Sequence, residues 1–135
     1  MKLNLLCMYS LSIIKYVAEA FFTLSPMNQW FEAHKQTRVV KLKRMRGKII
    51  QNCEVYIGRA YHQGGWKFPA SPFANPFLVE QYGRAESIRR YEAHLRSHPE
   101  LMAQLPALKG KILGCWCHPL PCHGDVLVKL IQEQT

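Results

Sequence analysis

The chain has 135 residues and a mass of 15.7 kDa, which suits one hydrophobic core and leaves little for a second. Hydrophobic residues make up 48% and charged residues 20%, a globular composition that excludes a disordered tail or a collagen-like repeat. Lys and Arg number 18 against 9 acids, and seven of those bases (Lys35, Arg38, Lys41, Lys43, Arg44, Arg46 and Lys48) fall in a stretch that holds no acid. Such a strip either steers phosphate-rich partners or keeps a solvated edge from aggregating.

Residues 1–24 are mostly apolar, with Lys2 and the small residues Ala18 and Ala20 placed as in a secretory leader. Lys15 and Glu19 interrupt them, so the run of about 20 apolar residues that crosses a bilayer is not reached. The expectation is an amphipathic helix on an N-terminal extension, residues 1–36, with no membrane span and with Met27 available as an alternative start. A single domain is expected over 37–135. Thr37-Arg38-Val39-Val40-Lys41-Leu42-Lys43 places Val40 and Leu42 two apart, as in a half-buried strand, and Arg46-Gly47-Lys48 is turn-prone. Cys53 to Ile57 predicts a second strand, ended by Gly58-Arg59.

Residues 60–77 contain Gly64-Gly65, three prolines and five aromatic residues, which predicts a long ordered loop held by its own aromatic anchors. Glu86 to Leu95 reads as a helix with Ile88, Tyr91 and Leu95 on one face, and Glu86/Arg90 and Glu92/Arg96 spaced for ion pairs. Ser97-His98-Pro99-Glu100 has capping-box spacing and predicts a short second helix, limited by Pro106. Lys111 to Cys117 reads as a buried strand. A last helix starts near His123 and carries Val126, Leu127, Leu130 and Ile131. Helices between and after strands predict an α/β fold, a small two-layer or three-layer sandwich with a partly parallel sheet. In such sheets ligands gather beyond the carboxyl ends of strands, where both Gly58-Arg59 and the cysteine cluster fall.

Five cysteines are present, and Cys115, Cys117 and Cys122 lie too close in sequence for a loop-closing disulfide framework. Reduced thiols in a cytoplasmic protein are expected. Cys115, Cys117, Cys122 and His123 form a chemically reasonable Cys₃His set for tetrahedral zinc, although the spacing is not that of a zinc ribbon or finger. The plainer alternative is a small buried Cys115 with Trp116 packed across the sheet. A second reading makes Cys122 and His123 a catalytic pair at a helix N-terminus, where backbone N–H groups favour a thiolate or a phosphate. In it, Gly124 admits a ligand, and Asp125, the only aspartate in the chain, orients His123 or complements the helix. Arg59 and Asn75 are candidate ligand-binding residues, the first by bidentate contact with an anion and the second as an amide held by Pro76. Arg59 paired with a carboxylate and Asn75 bracing its own turn are the structural alternatives.

Val55-Tyr56-Ile57-Gly58-Arg59, Asn75-Pro76-Phe77, the run Gly110 to Cys117 and Cys122-His123-Gly124-Asp125 together resemble a family of small phage, giant-virus and bacterial proteins, domain of unknown function 4326, over about residues 37–131. The cysteine-to-Cys-His junction is also similar to that of another α/β family carrying a Cys-His-Arg triplet there. The resemblance implies the domain limits and the motif residues and brings no activity with it. The resulting expectation is a domain that binds or processes a phosphate-bearing ligand, nucleotide or nucleic acid, at the helix N-terminus. Its alternative is a non-catalytic module, braced by cysteines with or without zinc, that binds nucleic acid or a viral or host protein through the basic strip.

Overall fold

In the computed structural model, which describes residues 25–135, helix α1 (Pro26–Ala33) precedes strand β1 (Arg38–Lys41). The chain divides between His34 and Lys35 into two units. Residues 1–24 of the extension expected over 1–36, with the amphipathic helix read there, lie outside the described residues. In the second unit, β1 is followed by β2 (Arg44–Met45), β3 (Lys48–Ile49) and β4 (Val55–Tyr56), then by α2 (Val79–Tyr82), α3 (Arg84–Arg96) and α4 (Pro99–Met102). A 3₁₀ turn (Leu105–Leu108), β5 (Ile112–Cys115) and α5 (His123–Glu133) complete it.

β1, β5 and β4 form one parallel sheet in that order, with Val39 opposite Leu113, Lys41 opposite Cys115, and Tyr56 opposite Gly114. Central β5 is covered on both faces, as its apolar run Ile-Leu-Gly-Cys requires. Strand alternation puts Val39, Val55, Leu113 and Cys115 on the face that meets α3 and α5. Val40, Leu42 and Gly114 take the other, where a Cβ on Gly114 would collide with the Cys53 sulfur. Val40 and Leu42 thus share a face as expected, while Val39 is buried on the opposite one. The fold is mixed α/β: helices cover one face of the sheet, and Tyr56 and Trp116 meet the 60–77 loop on the other.

That loop is held as its composition suggests. Phe68 stacks on Tyr56 with centroids 4.3 Å apart, Trp66 meets Trp116 edge-on at 5.2 Å, and Tyr61 and Phe68 form a β-bridge. Its returning leg is fastened to α3: the Tyr91 hydroxyl donates to the Phe73 carbonyl at 2.6 Å, and the Asn75 amide donates to Ser87 Oγ at 2.9 Å. Ser87 in turn donates to the Phe77 carbonyl, so a serine sits fully buried on the helix face, flanked by Ile88. The two ion pairs expected on α3 form, each at 2.8 Å.

Ser97 does not cap α4. Its hydroxyl turns back to the His94 carbonyl at 2.8 Å and closes α3, leaving His98 at the start of α4 without a side-chain cap. β5 stops at Cys115, where β1 ends, so Cys117 does not continue the strand; its N–H turns back to the Cys115 sulfur at 3.5 Å. Among the described residues no helix is long and apolar enough to cross a membrane.

Candidate functional site

At the carboxyl ends of β4 and β5 a cleft of about 370 Å³ opens, lined by both sequence regions expected there and by one that was not. Arg59, Asn75, Cys115, Cys117, Cys122 and His123 all face it. So does Arg84, at the start of α3, whose guanidinium donates to the Pro121 carbonyl at 3.0 Å and thereby reaches the cysteine loop. Tyr56, Tyr61 and Trp116 supply aromatic wall; the Trp116 indole donates to the Tyr56 hydroxyl at 2.9 Å, which donates to the Arg59 carbonyl at 2.7 Å. Among the described residues no Asp or Glu lines the cleft.

The floor is sulfur and imidazole. Cys115 Sγ and Cys122 Sγ are 2.7 Å apart, and His123 Nδ1 lies 3.5 Å from Cys122 Sγ and 3.9 Å from Cys115 Sγ. The other ring nitrogen, Nε2, faces the Ile57 carbonyl at 2.7 Å. A carbonyl only accepts, so Nε2 carries the hydrogen and Nδ1 turns its lone pair to the sulfurs. Tyr91 packs edge-on against the imidazole. Burial holds the His123 pKa below that of an ordinary histidine, and the bond to the Ile57 carbonyl offsets part of that shift.

The three neighbouring thiols are shifted in opposite directions. Hydrogen bonds from Cys115 and Cys122, with the Arg84 guanidinium beside it, hold the Cys117 thiol far below the usual range. Cys122 is pushed well up by Cys115, Cys117 and burial, and Cys115 is raised chiefly by Cys117. Cys115 and Cys122 are 2% and 1% exposed, so the half-buried Cys117 is the sulfur of the three that meets solvent.

Two expected residues stand elsewhere. Gly124 is buried against the sheet, where a Cβ would sit 2.8 Å from Val39 Cγ2, so its missing side chain admits the core and not a ligand. The Asp125 carboxylate accepts from the Cys122 N–H at 2.9 Å, while the Cys122 sulfur accepts from the Gly124 N–H at 3.4 Å. These bonds make a capping box, and the side chain that orients His123 is replaced by the Ile57 carbonyl. Asn75 lines the cleft and also braces its own turn, its Oδ1 accepting from the Phe77 N–H at 2.9 Å. Arg84 escaped sequence reading because nothing local distinguishes it from the other arginines of α3; only its pairing with Pro121 brings it to the site.

Fold and cleft define a small α/β domain with a thiol–imidazole floor under two guanidinium groups. Residues 40–133 match the family described as Domain of unknown function (DUF4326), and the chain belongs to it. An uncharacterized protein, R718, of Acanthamoeba polyphaga mimivirus is 43% identical over 101 residues, covering 68% of this chain and 77% of that protein. An uncharacterized 12.4 kDa protein of the nrdA-td intergenic region of Enterobacteria phage T4 is 45% identical over 31 residues, 23% of this chain and 29% of its own length. No solved structure shows significant similarity to the chain.

Proposed function

We propose that the domain binds a phosphate-bearing ligand of the nucleotide class in the cleft at the ends of β4 and β5. The observation that carries this reading is the charge of the lining: Arg59 and Arg84 face the space, and among the described residues no carboxylate does. Guanidinium groups bind phosphate by paired hydrogen bonds, and Tyr61 and Trp116 offer ring faces beside them for a base. The first amides of α5 are already engaged by its capping box, so the arginines, and not the helix end, carry the anion in this reading. Calorimetric titration of the full chain with a nucleoside monophosphate tests it. Loss of one charged hydrogen bond costs about 1.5–3 kcal/mol, so Arg84→Ala and Arg59→Ala each weaken binding by about tenfold to a hundredfold. Equal affinity in both variants, or no binding by the parent chain, overturns the reading.

In this reading chemistry at the cleft runs through Cys117, because Cys122 is enclosed and keeps its proton. Cys122 and His123 shape the floor on which it acts, and Asp125 fixes Cys122 through the helix cap.

A second reading has an observation of its own: Cys115 Sγ, Cys122 Sγ and His123 Nδ1 all lie within 4.8 Å of one another, with the imidazole hydrogen committed to Ile57. Two thiolates and an imidazole so oriented suit zinc, with the carbonyl as outer-sphere support and Cys117, on the same cleft, as a candidate fourth ligand. Elemental analysis of the purified chain distinguishes this brace. About one zinc per chain, lost in Cys115→Ser, supports it; metal-free protein that folds normally overturns it.

A further inference from the structure

The hairpin β2–β3 is placed to do more than shield an edge. Arg44 pairs with Ile49 and Met45 with Lys48, and the ladder continues through the Ile50 N–H to the Lys43 carbonyl. Side chains alternate along each strand, so this register puts Lys43, Met45, Lys48 and Ile50 together on one face, with Arg44 and Ile49 on the other. Arg46 and Gly47, both in the left-handed region, make the two-residue turn and set Arg46 at the tip. Every residue from Lys43 to Ile50 is exposed, and among the described residues no ion pair engages Lys43, Arg46 or Lys48.

The opposite face is anchored toward the cleft. The Arg44 guanidinium donates to the Gly64 carbonyl and lies over the Trp66 ring at 4.9 Å from its centroid. Trp66 meets Trp116, which lines the cleft. One aromatic wall therefore backs both the ribbon and the anion pocket.

We propose that the ligand of the cleft is the phosphorylated end of a nucleic-acid strand, with the outer face of the β2–β3 ribbon holding the backbone beyond it. This inference rests on the anion-binding reading of the cleft and specifies its substrate class. A strand offers a terminal phosphate to Arg59 and Arg84 and further phosphates to Lys43, Arg46 and Lys48. Met45 and Ile50 give its sugars and bases apolar contact between the cations. An acidic peptide supplies no phosphate for the cleft, and a lipid surface supplies no chain to enter it.

Fluorescence anisotropy on the full chain tests this with a short single-stranded DNA carrying a terminal phosphate. The same DNA without that phosphate, a nucleoside monophosphate, phosphatidylserine vesicles and polyglutamate serve as comparisons. The phosphorylated strand binds about tenfold or more tightly than the mononucleotide, with affinity falling as salt rises. Combined replacement Lys43→Ala, Arg46→Ala and Lys48→Ala abolishes that advantage, makes the salt slope shallower by about 2, and leaves mononucleotide binding unchanged. A strand that binds no better than the mononucleotide overturns the inference and leaves the cleft reading standing. So does a ribbon that selects vesicles or polyglutamate over DNA. Strand binding that depends on the ribbon but ignores both the terminal phosphate and Arg84→Ala overturns the cleft reading, and this inference with it. Because the replaced side chains are exposed, unchanged circular dichroism of the variant separates lost binding from lost fold.

Discussion

His123 Nε2 donates to the carbonyl oxygen of Ile57 across 2.7 Å, tying the first residue of α5 to the segment that follows β4. Both residues are buried, so this bond satisfies a main-chain acceptor that packing has removed from water. Replacing His123 with Leu retains apolar bulk and removes the donor. Chemical denaturation of this variant shows a loss of about 1–3 kcal/mol, the cost of an unsatisfied buried carbonyl. A change below about 0.5 kcal/mol rules out a bracing role for the bond.

The charge distribution among the thiols predicts an order of reaction. With chelator-treated protein at neutral pH, iodoacetamide labels Cys117 ahead of Cys53, Cys115 and Cys122, as read by peptide mass spectrometry. Burial raises the Cys53 thiol, and Cys115 and Cys122 are nearly inaccessible. Arg84→Ala slows the Cys117 reaction by removing the cation beside it. Fastest labelling at Cys122 contradicts the arrangement of the floor.

Two glycines, one packed between α5 and the sheet and one between α2 and α3, predict costs of different origin. Gly124→Ala pushes a methyl to 2.8 Å from Val39 Cγ2 and 2.9 Å from Ile57 Cδ1, both in the core. Overpacking of this kind costs about 1–3 kcal/mol, measured as a lowered denaturation midpoint. Gly83→Ala meets no atom within 4 Å, and its cost comes from the positive φ of 76° alone. The two variants separate crowding from backbone strain.

Acid sensitivity has an assignable source in Glu86 of α3. Hydrogen bonds from Arg89 and Arg90 hold the Glu86 carboxyl down to about 2, from the ordinary value of 4.5. A depressed carboxylate stabilises the fold fully above the unfolded value, and that contribution is lost as pH falls toward the folded one. The difference in melting temperature between the parent chain and Glu86→Gln is therefore constant near neutrality. It shrinks below pH 4.5 and vanishes near pH 2. A difference unchanged throughout that range excludes the carboxylate charge as its cause.

Local chemistry made much of this legible. The apolar stripe of α5 and the ion pairs of α3 each depend on neighbours a few residues away, and each stands where the sequence placed it. The cysteine cluster was visible because its residues nearly adjoin. What was hidden is long-range: Arg84 enters the cleft only through Pro121, and Ile57 orients His123 through a main-chain oxygen that no residue type announces. Asp125 and Gly124 misled for the converse reason. Both have chemistry suited to a ligand, and both are consumed by the cap and the core. The ribbon was legible as charge and turn, but strands of two residues give no periodicity to read.

Cys122 serves two masters, since its sulfur meets Cys115 and His123 on one side and accepts the Gly124 N–H on the other. Any event that claims this sulfur, whether metal coordination or oxidation, also changes the acceptor that seats the opening turn of α5. Events at the cleft floor are thus transmitted mechanically to the helix that packs on β1. Amide hydrogen exchange at Gly124 reports the chemical state of a sulfur that solvent barely reaches.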